Sequence, residues 1–536
     1  MGIFNHSKAT VLSDIISEYA ERSPERNALK DGRREYSFGQ VEHKATRLAQ
    51  LMVEQYQIRK GDRVVFIAEK ACELIIGIIA TWKAGAIYVP VDVKNGKDRT
   101  AFIVENVKPT VVISEEAALQ KFGSVLGGRP TISYEQIAEL SETPSEWTYP
   151  GTILPGDVAI ILHTSGSTGN PKGVILEHQS TITYFHAQNE LMQFSERSRN
   201  VNHGPYHFDV SVQDTFLPLY FGSSVYIYRG FLVSTLVINL MIQERITHLI
   251  AVSSVLALIT GEGNEIERLL ETSLEAVMTG GENCDVKLIN KWLETLPHLR
   301  FYNGYGPSEC NSLCMAYHIE RPDYERTRLF PIGQAFTGTQ ALLVNDNHKV
   351  IEGPNKKGIL CIGGPQLLRA YWNLPEETDK ATLYIEEERY YITGDLASRD
   401  EAGNYYFEGR NDNEVKIFGR RINLNEIRNA LQKNEEIDYA VVGTVEVEGS
   451  PTIFAYVYQS KERVKVDPER TAEQLRKSLP DYMVPKYLFV SDQLIKTSTN
   501  KINEIEIRKA VAAHILDDVM TKYDVLEELE PVKSVA

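Results

Sequence analysis

The chain has 536 residues, 43% apolar and 24% charged, a balance that excludes wholesale disorder and leaves room for about three to five structural units. Lys plus Arg number 57 and Asp plus Glu 73, so the net charge is −16, which argues against general binding to a nucleic-acid backbone. Five cysteines (Cys72, Cys284, Cys310, Cys314 and Cys361), with no second pair at zinc-site spacing, argue against a disulfide framework or structural zinc and for a reducing cytoplasm. The opening residues MGIFNHSKAT lack a signal-like apolar stretch. Leu74 to Trp82 is too short to span a bilayer, so no membrane partner is expected.

In chain order, Val11 to Ala20 carries apolar residues at helical spacing and predicts a helix. Tyr36 to Phe38 reads as a strand leading into a helix that runs through Leu51. Arg63 to Ala68 is strand-like, and Glu73 to Lys83 is an apolar helix with Gly85 as its cap. Ala86 to Val91 and Thr110 to Ser114 are β-branched runs of the buried parallel kind. Residues 115 to 156 are richer in Ser, Thr, Gly and Pro and read as a connection. Val158 to His163 is a buried strand, and strand–helix alternation continues to about residue 320. Shorter strands and turns follow to about 410, and then a small α+β unit with a helix at Ile427 to Leu431 and a strand at Thr452 to Tyr458. The expected fold class is α/β. A large N-terminal domain, 1–411, combines parallel sheets with a β-rich subdomain. A small mobile α+β domain follows at 412–512, then an acidic tail at 513–536.

One stretch carries chemistry on its own. Thr164-Ser165-Gly166-Ser167-Thr168-Gly169-Asn170-Pro171-Lys172-Gly173 follows a strand and combines three glycines, four hydroxyls and one lysine. Glycines let backbone N–H groups close on an anion, hydroxyls add donors, and Lys172 adds a point charge. Such a loop suits a nucleotide triphosphate, although the GxxxxGK[ST] spacing is not met.

This string resembles the phosphate-binding loop of the adenylate-forming superfamily, which includes acyl- and aryl-CoA synthetases, luciferases and the adenylation domains of nonribosomal peptide synthetases. Further segments resemble the family's motifs in order. They are Tyr36–Phe38, Trp82–Asp92, Asn303–Glu309, Tyr391–Leu396, Gly409–Ile417, Leu479–Pro485 and Asn500–Ile502. The resemblance covers about residues 11 to 512. It implies ATP and Mg²⁺ as cofactors and a reaction in which a carboxylate attacks the α-phosphate and a thiol then attacks the adenylate.

By that resemblance, Thr164, Ser165, Gly166, Ser167, Thr168, Gly169 and Lys172 hold the phosphates, and Glu309 ligates Mg²⁺. Tyr305 stacks on adenine, with Gly280, Gly281 and Glu282 along its edge and Asn303, Gly306 and Ser308 in the same nucleotide site. Asp395 and Arg410 meet the ribose. Lys501 is the catalytic lysine that bridges the attacking carboxylate and the α-phosphate, with Lys172 assisting. Asp412 resembles the hinge between the two domains.

Asp209, in His207-Phe208-Asp209-Val210-Ser211, resembles the aspartate that amino-acid-activating members pair with an α-ammonium group. The rest of the implied acid pocket is Val210, Gln213, Ile250, Met278, Gly280, Gly304, Ser312 and Leu313. None of these is charged, so a neutral amino acid is expected, with proline a candidate because Val210 and Gln213 resemble proline activators. The two glycines leave room for something larger. No carrier-protein signature follows Lys501, so a separate peptidyl carrier protein, loaded in trans, is the expected partner. The competing functions are an acyl- or aryl-CoA ligase and a catalytically silent nucleotide-binding protein.

Overall fold

The computed structural model describes residues 9–165, 170–261, 265–410, 414–417, 419–447, 450–459, 466–493, 495, 502–517 and 523–525. They divide into two units. One is drawn from Met1–Val93, Asn106–Thr164 and Lys172–Asp412, the other from Lys94–Glu105, Ser165–Pro171 and Asn413–Ala536.

The β-branched runs build one sheet, in the order Thr131–Ser133, Val111–Ser114, Arg63–Ile67, Ile87–Val91, β1 (Val158–Thr164) and β2 (Lys172–Glu177). Its neighbours are parallel except for β1 with β2. Val111, Val112 and Ile113 are all buried, as strands covered on both faces must be. Helix α1 (Cys72–Lys83) is buried from Cys72 to Trp82, and Gly85 beyond it takes φ +69°, the left-handed step that ends a helix without a Cβ clash. The Trp82 indole N–H donates to the Ala159 carbonyl at 3.0 Å. Its ring meets Phe216 edge-on at 4.9 Å.

A second sheet of nine strands runs from Glu35–Ser37 through Asn27–Lys30, Ser224–Ile227, Arg199–Asn202, His248–Ile250, β3 (Ala276–Gly280), β4 (Arg300–Tyr305) and Met315–Ile319 to Gln334–Ala335. The strands from Asn27–Lys30 to β4 are parallel. Helix α2 (His178–Met192) follows β2 directly. The β-rich stretch forms an antiparallel sheet of Gln340–Val344, Lys357–Gly363, β5 (Glu388–Arg399) and Thr382–Ile385, with β6 (Tyr405–Arg410) added to β5.

The second unit has a hairpin of Glu414–Ile417 with Arg420–Asn423. A helix, Leu424–Gln432, follows with Asn423 as its cap. A four-stranded sheet of Tyr439–Val447, Ser450–Tyr458, Tyr487–Ser491 and Tyr523–Val525 completes it. Tyr523–Val525 lies in the stretch expected as a tail and pairs in parallel with Leu488–Val490. The class is α/β with a large N-terminal portion and a smaller C-terminal one. Among the described residues no helix is long and apolar enough to cross a membrane.

Two elements differ from expectation. Val11–Ala20 is not one helix but a 3₁₀ turn, Leu12–Asp14, and a short helix, Ser17–Arg22. The Leu12 N–H is taken by His178 Nδ1 at 3.0 Å, while Leu12, Ile15, Ile16 and Tyr19 all bury, so tertiary packing overrides the local period. The expected connection at 115–156 carries helix Glu116–Leu126, strand Thr131–Ser133 and helix Tyr134–Glu139. Ala118, Phe122 and Leu126 recur every four residues and bury one face, and Ser133 and Gln136 form a capping box.

Candidate active site

The site grows out of strand ends. Register pairs Thr164 with Lys172 across β1 and β2, the two ends of the stretch expected to hold phosphates. Lys172 Nζ lies 2.6 Å from Glu377 Oε2 and 5.5 Å from the centre of the Tyr371 ring. Tyr371 in turn donates its hydroxyl to Glu309 Oε1 at 2.7 Å, and Glu309 is buried. The cation and the carboxylate expected to meet ATP and its metal are thus joined through one tyrosine. Ser165 falls in the second unit, where its hydroxyl donates to the Arg421 carbonyl at 2.8 Å. Gly166, Ser167, Thr168, Gly169, Asp412 and Lys501 lie outside the described residues.

Among the described residues no group of three or more His, Cys, Asp or Glu side chains could hold a metal by itself. Glu309 fits a different case. Mg²⁺ is commonly held by one or two carboxylates plus substrate phosphates, so the donor set of Glu309 fits that metal if a nucleotide supplies the other oxygens.

At the end of β4, Tyr305 donates its hydroxyl to Asp395 Oδ2, and Arg410 Nη1 bonds Asp395 Oδ1. Asp395 and Arg410 face each other on β5 and β6. Burial, then the neighbouring Asp395, pushes the Tyr305 phenol well above its usual range, so it stays a proton donor. Gly280 and Gly304 are paired on the parallel strands β3 and β4. Two expected adenine-site residues also have structural tasks. Glu282 Oε2 accepts from Ser253 Oγ at 3.0 Å and from Ser254 N at 3.1 Å, at the start of helix Ser253–Thr260. Asn303 Nδ2 donates to the Pro331 carbonyl at 2.7 Å.

Half-buried Asp209 receives a hydrogen bond from Ser308. Four residues on, Gln213 sits in a π-helical turn, Val212–Phe216, a rare geometry concentrated at functional positions. Gln213 Nε2 donates to Ser312 Oγ at 3.0 Å. Ser312 has φ +106° and Asn311 φ +62°, two consecutive non-glycine residues in the left-handed half of backbone space. Gln366 straps this loop by donating to the Cys310 and Leu313 carbonyls, both at 3.0 Å. A Cβ on Gly306 would strike the Ser312 carbonyl. Ile250 is buried, its carbonyl bonded by His203 Nε2 at 2.8 Å, and Val210 packs against Gly204.

The room expected above the two glycines is taken. A Cβ on Gly304 would sit 2.8 Å from Leu313 Cδ1, and one on Gly280 would sit 3.2 Å from Leu313 Cδ2 and 2.7 Å from the Gly304 carbonyl. Leu313 fills the space that missing side chains would otherwise open. Tyr184, Gln188, Gln366, Tyr371 and Glu377 join the site without having been foreseen. Tyr184 and Gln188 are two of several polar residues that α2 buries, and no sequence period distinguishes them from core.

A family model described as AMP-binding enzyme matches residues 16–372. Tyrocidine synthase 1 of Brevibacillus parabrevis is 29% identical over 504 residues, covering 93% of this chain and 45% of that protein, so the chain spans less than half of that relative. Among solved structures, an artificially fused adenylation–PCP di-domain from Klebsiella oxytoca matches with a TM-score of 0.78 at 21% identity over 91% of this chain and 94% of that one. An o-succinylbenzoate CoA synthetase of Bacillus subtilis matches with a TM-score of 0.80 at 19% identity over 92% and 98%. At these identities the two structures speak to fold alone.

Proposed function

The chain belongs to the AMP-binding enzyme family, and from that premise we propose that it activates a neutral α-amino acid with ATP and passes it to the phosphopantetheine thiol of a separate carrier protein. The observation that carries this reading is Asp209. It is a half-buried carboxylate beside Ser308, with no second charge among the side chains of the pocket assigned above. A carboxylate so placed suits an α-ammonium group, because a partly buried charge favours an opposite charge held against it. A carboxylic acid without an amino group has no use for it. Proline remains within the neutral class. The carrier as partner is supported by the likeness to an adenylation–PCP fusion.

In the first step a carboxylate oxygen of the amino acid forms a bond to the α-phosphorus, and the bond to pyrophosphate breaks. Lys172 and the loop hydroxyls take up charge on the departing phosphates, which positions them rather than reacting with them. Glu309 would hold Mg²⁺, which supplies further charge neutralisation when bound. Asp395 and Arg410 would orient the ribose, and Lys501 would bridge the two reacting groups. In the second step a thiolate attacks the adenylate carbonyl and AMP leaves.

The test is ATP–pyrophosphate exchange over all proteinogenic amino acids, with benzoate and short fatty acids alongside. Exchange with a neutral amino acid is expected. Asp209→Ala should cut its kcat/KM by about 100-fold or more, as loss of a desolvated charge pair does. Exchange with benzoate or fatty acids alone would instead make the protein an acyl- or aryl-acid ligase and Asp209 structural.

A further inference from the structure

The acid site has a polar floor supplied by α2. Gln213 Oε1 accepts two hydrogen bonds from that helix, one from the Tyr184 hydroxyl at 3.3 Å and one from Gln188 Nε2 at 3.0 Å. Gln188 Nε2 also donates to Met278 Sδ at 3.1 Å. A thioether sulfur has no proton to give, so this contact settles which end of the Gln188 amide is nitrogen. That nitrogen can only donate, so it must face the carbonyl oxygen of Gln213. The Gln213 amide is thereby oriented, with its oxygen toward α2 and its NH₂ toward Ser312. Burial pushes the Tyr184 phenol well above its usual range, which keeps it a donor.

This arrangement costs the fold something. Gln188 is fully buried, and its Oε1 has no hydrogen-bond partner among the described residues. An unsatisfied buried carbonyl is destabilising, and an apolar side chain of similar size would avoid it. What the amide at position 188 does contribute is the hydrogen bond that orients Gln213.

We propose that Tyr184 and Gln188 are positioning residues for substrate selection. They hold Gln213 with an amide N–H turned toward the side chain of the bound amino acid. The site then selects a small neutral side chain that offers a hydrogen-bond acceptor, a hydroxyl or a carboxamide. Both acceptor positions of Gln213 are used by α2, and one of its two N–H groups is used by Ser312. What remains for a ligand is a donor. Leu313, packed over Gly280 and Gly304, keeps the side chain short. This inference rests on reading the site as an amino-acid pocket.

The experiment compares near-isosteric pairs, threonine against valine and asparagine against leucine, in ATP–pyrophosphate exchange. It uses the full chain and its Gln188→Leu variant, with thermal unfolding of both. The wild type should favour the acceptor-bearing member of at least one pair by about tenfold or more in kcat/KM, because a site built to hydrogen-bond a side chain rejects the analogue that lacks the group. Gln188→Leu should reduce that preference to about threefold or less and leave the KM for ATP unchanged. Tyr184→Phe, which removes one donor, should reduce the preference in the same direction and serves if the first variant does not fold. Equal use of both members of each pair by the wild type would overturn the inference while leaving amino-acid activation standing. So would a Gln188→Leu enzyme that keeps its preference. Exchange with benzoate and with no amino acid would overturn the underlying reading, and this inference with it.

Discussion

Lys172 meets Glu377 at 2.6 Å, so the cation assigned to the triphosphate is already paired. Both side chains are largely buried, at 15% and 19% exposure, so solvent screens the pair only in part. Hydrogen bonds from Lys172 and then Lys380 hold the Glu377 carboxyl below its usual range. On the proposed reading, ATP exchanges a carboxylate for a phosphate at this lysine. Glu377→Gln removes the competing charge and should tighten ATP binding by about three- to tenfold, whereas Lys172→Ala should weaken it. Titration calorimetry with ATP reads both. An unchanged Kd in Glu377→Gln would mean that the lysine meets nucleotide without leaving its partner. The same economy holds at Asp395, whose two oxygens accept from Tyr305 and Arg410 before any ribose arrives.

Among the elements, the loop from Cys310 to Cys314 shapes the acid site most directly. It is held by Gln366 on one side and by the Gly306 turn on the other, and it carries Ser312 in a conformation that non-glycine residues rarely adopt. The strand that follows meets Gln334–Ala335, where Gly333 has φ +82° and a Cβ would land on the Ala316 carbonyl. Gly333→Ala is expected to destabilise the protein by about 3 kcal/mol or more, since backbone rather than a flexible side chain must yield. Urea denaturation measures it, and a loss under about 1 kcal/mol would show that the Gln334–Ala335 edge can shift freely. Elements also mark where sequence period and structure part. Helix Glu116–Leu126 was legible in its four-residue spacing of Ala118, Phe122 and Leu126, but the Ser, Thr, Gly and Pro around it masked the signal. The broken helix at Val11–Ala20 was not legible, because the burial of Leu12, Ile15, Ile16 and Tyr19 depends on residues distant in sequence, such as His178, 166 residues away.

Over the whole molecule, buried titratable groups set the response to acid. Burial pushes His178, His203 and His248 down to about 4 each. Each is bonded through a ring nitrogen, to the Leu12 N–H, the Ile250 carbonyl and the Met192 carbonyl respectively. Neutral when folded, each takes up a proton on unfolding between about pH 6.5 and 4, so its contribution is complete above 6.5 and is lost as pH falls toward 4. Asp214 acts in the opposite sense. Burial pushes it up to about 7, so it releases a proton on unfolding across much of the same range, and its contribution is lost as pH rises toward 7. Among the described residues, these three histidines outweigh Asp214 and favour proton uptake on unfolding. The urea midpoint should therefore fall steadily from pH 6.5 to 4.5. A flat midpoint across that window would show that the histidines are not held neutral.

The sequence by itself determined the alternating α/β order, the buried parallel strands and the glycine after α1. Each of these rests on residue type and short spacing, which local backbone preference and burial translate directly into structure. Only the tertiary structure decided which side chains meet. Asp209 finds Ser308 across 99 residues, Tyr305 finds Asp395 across 90, and Gln213 finds Ser312 across 99. It also brought Tyr184 and Gln188 of α2 onto Gln213 and closed the space above Gly280 and Gly304 with Leu313. Such pairings follow from sheet register and from the packing of a helix face against distant strands, and a side chain's identity does not encode its partner.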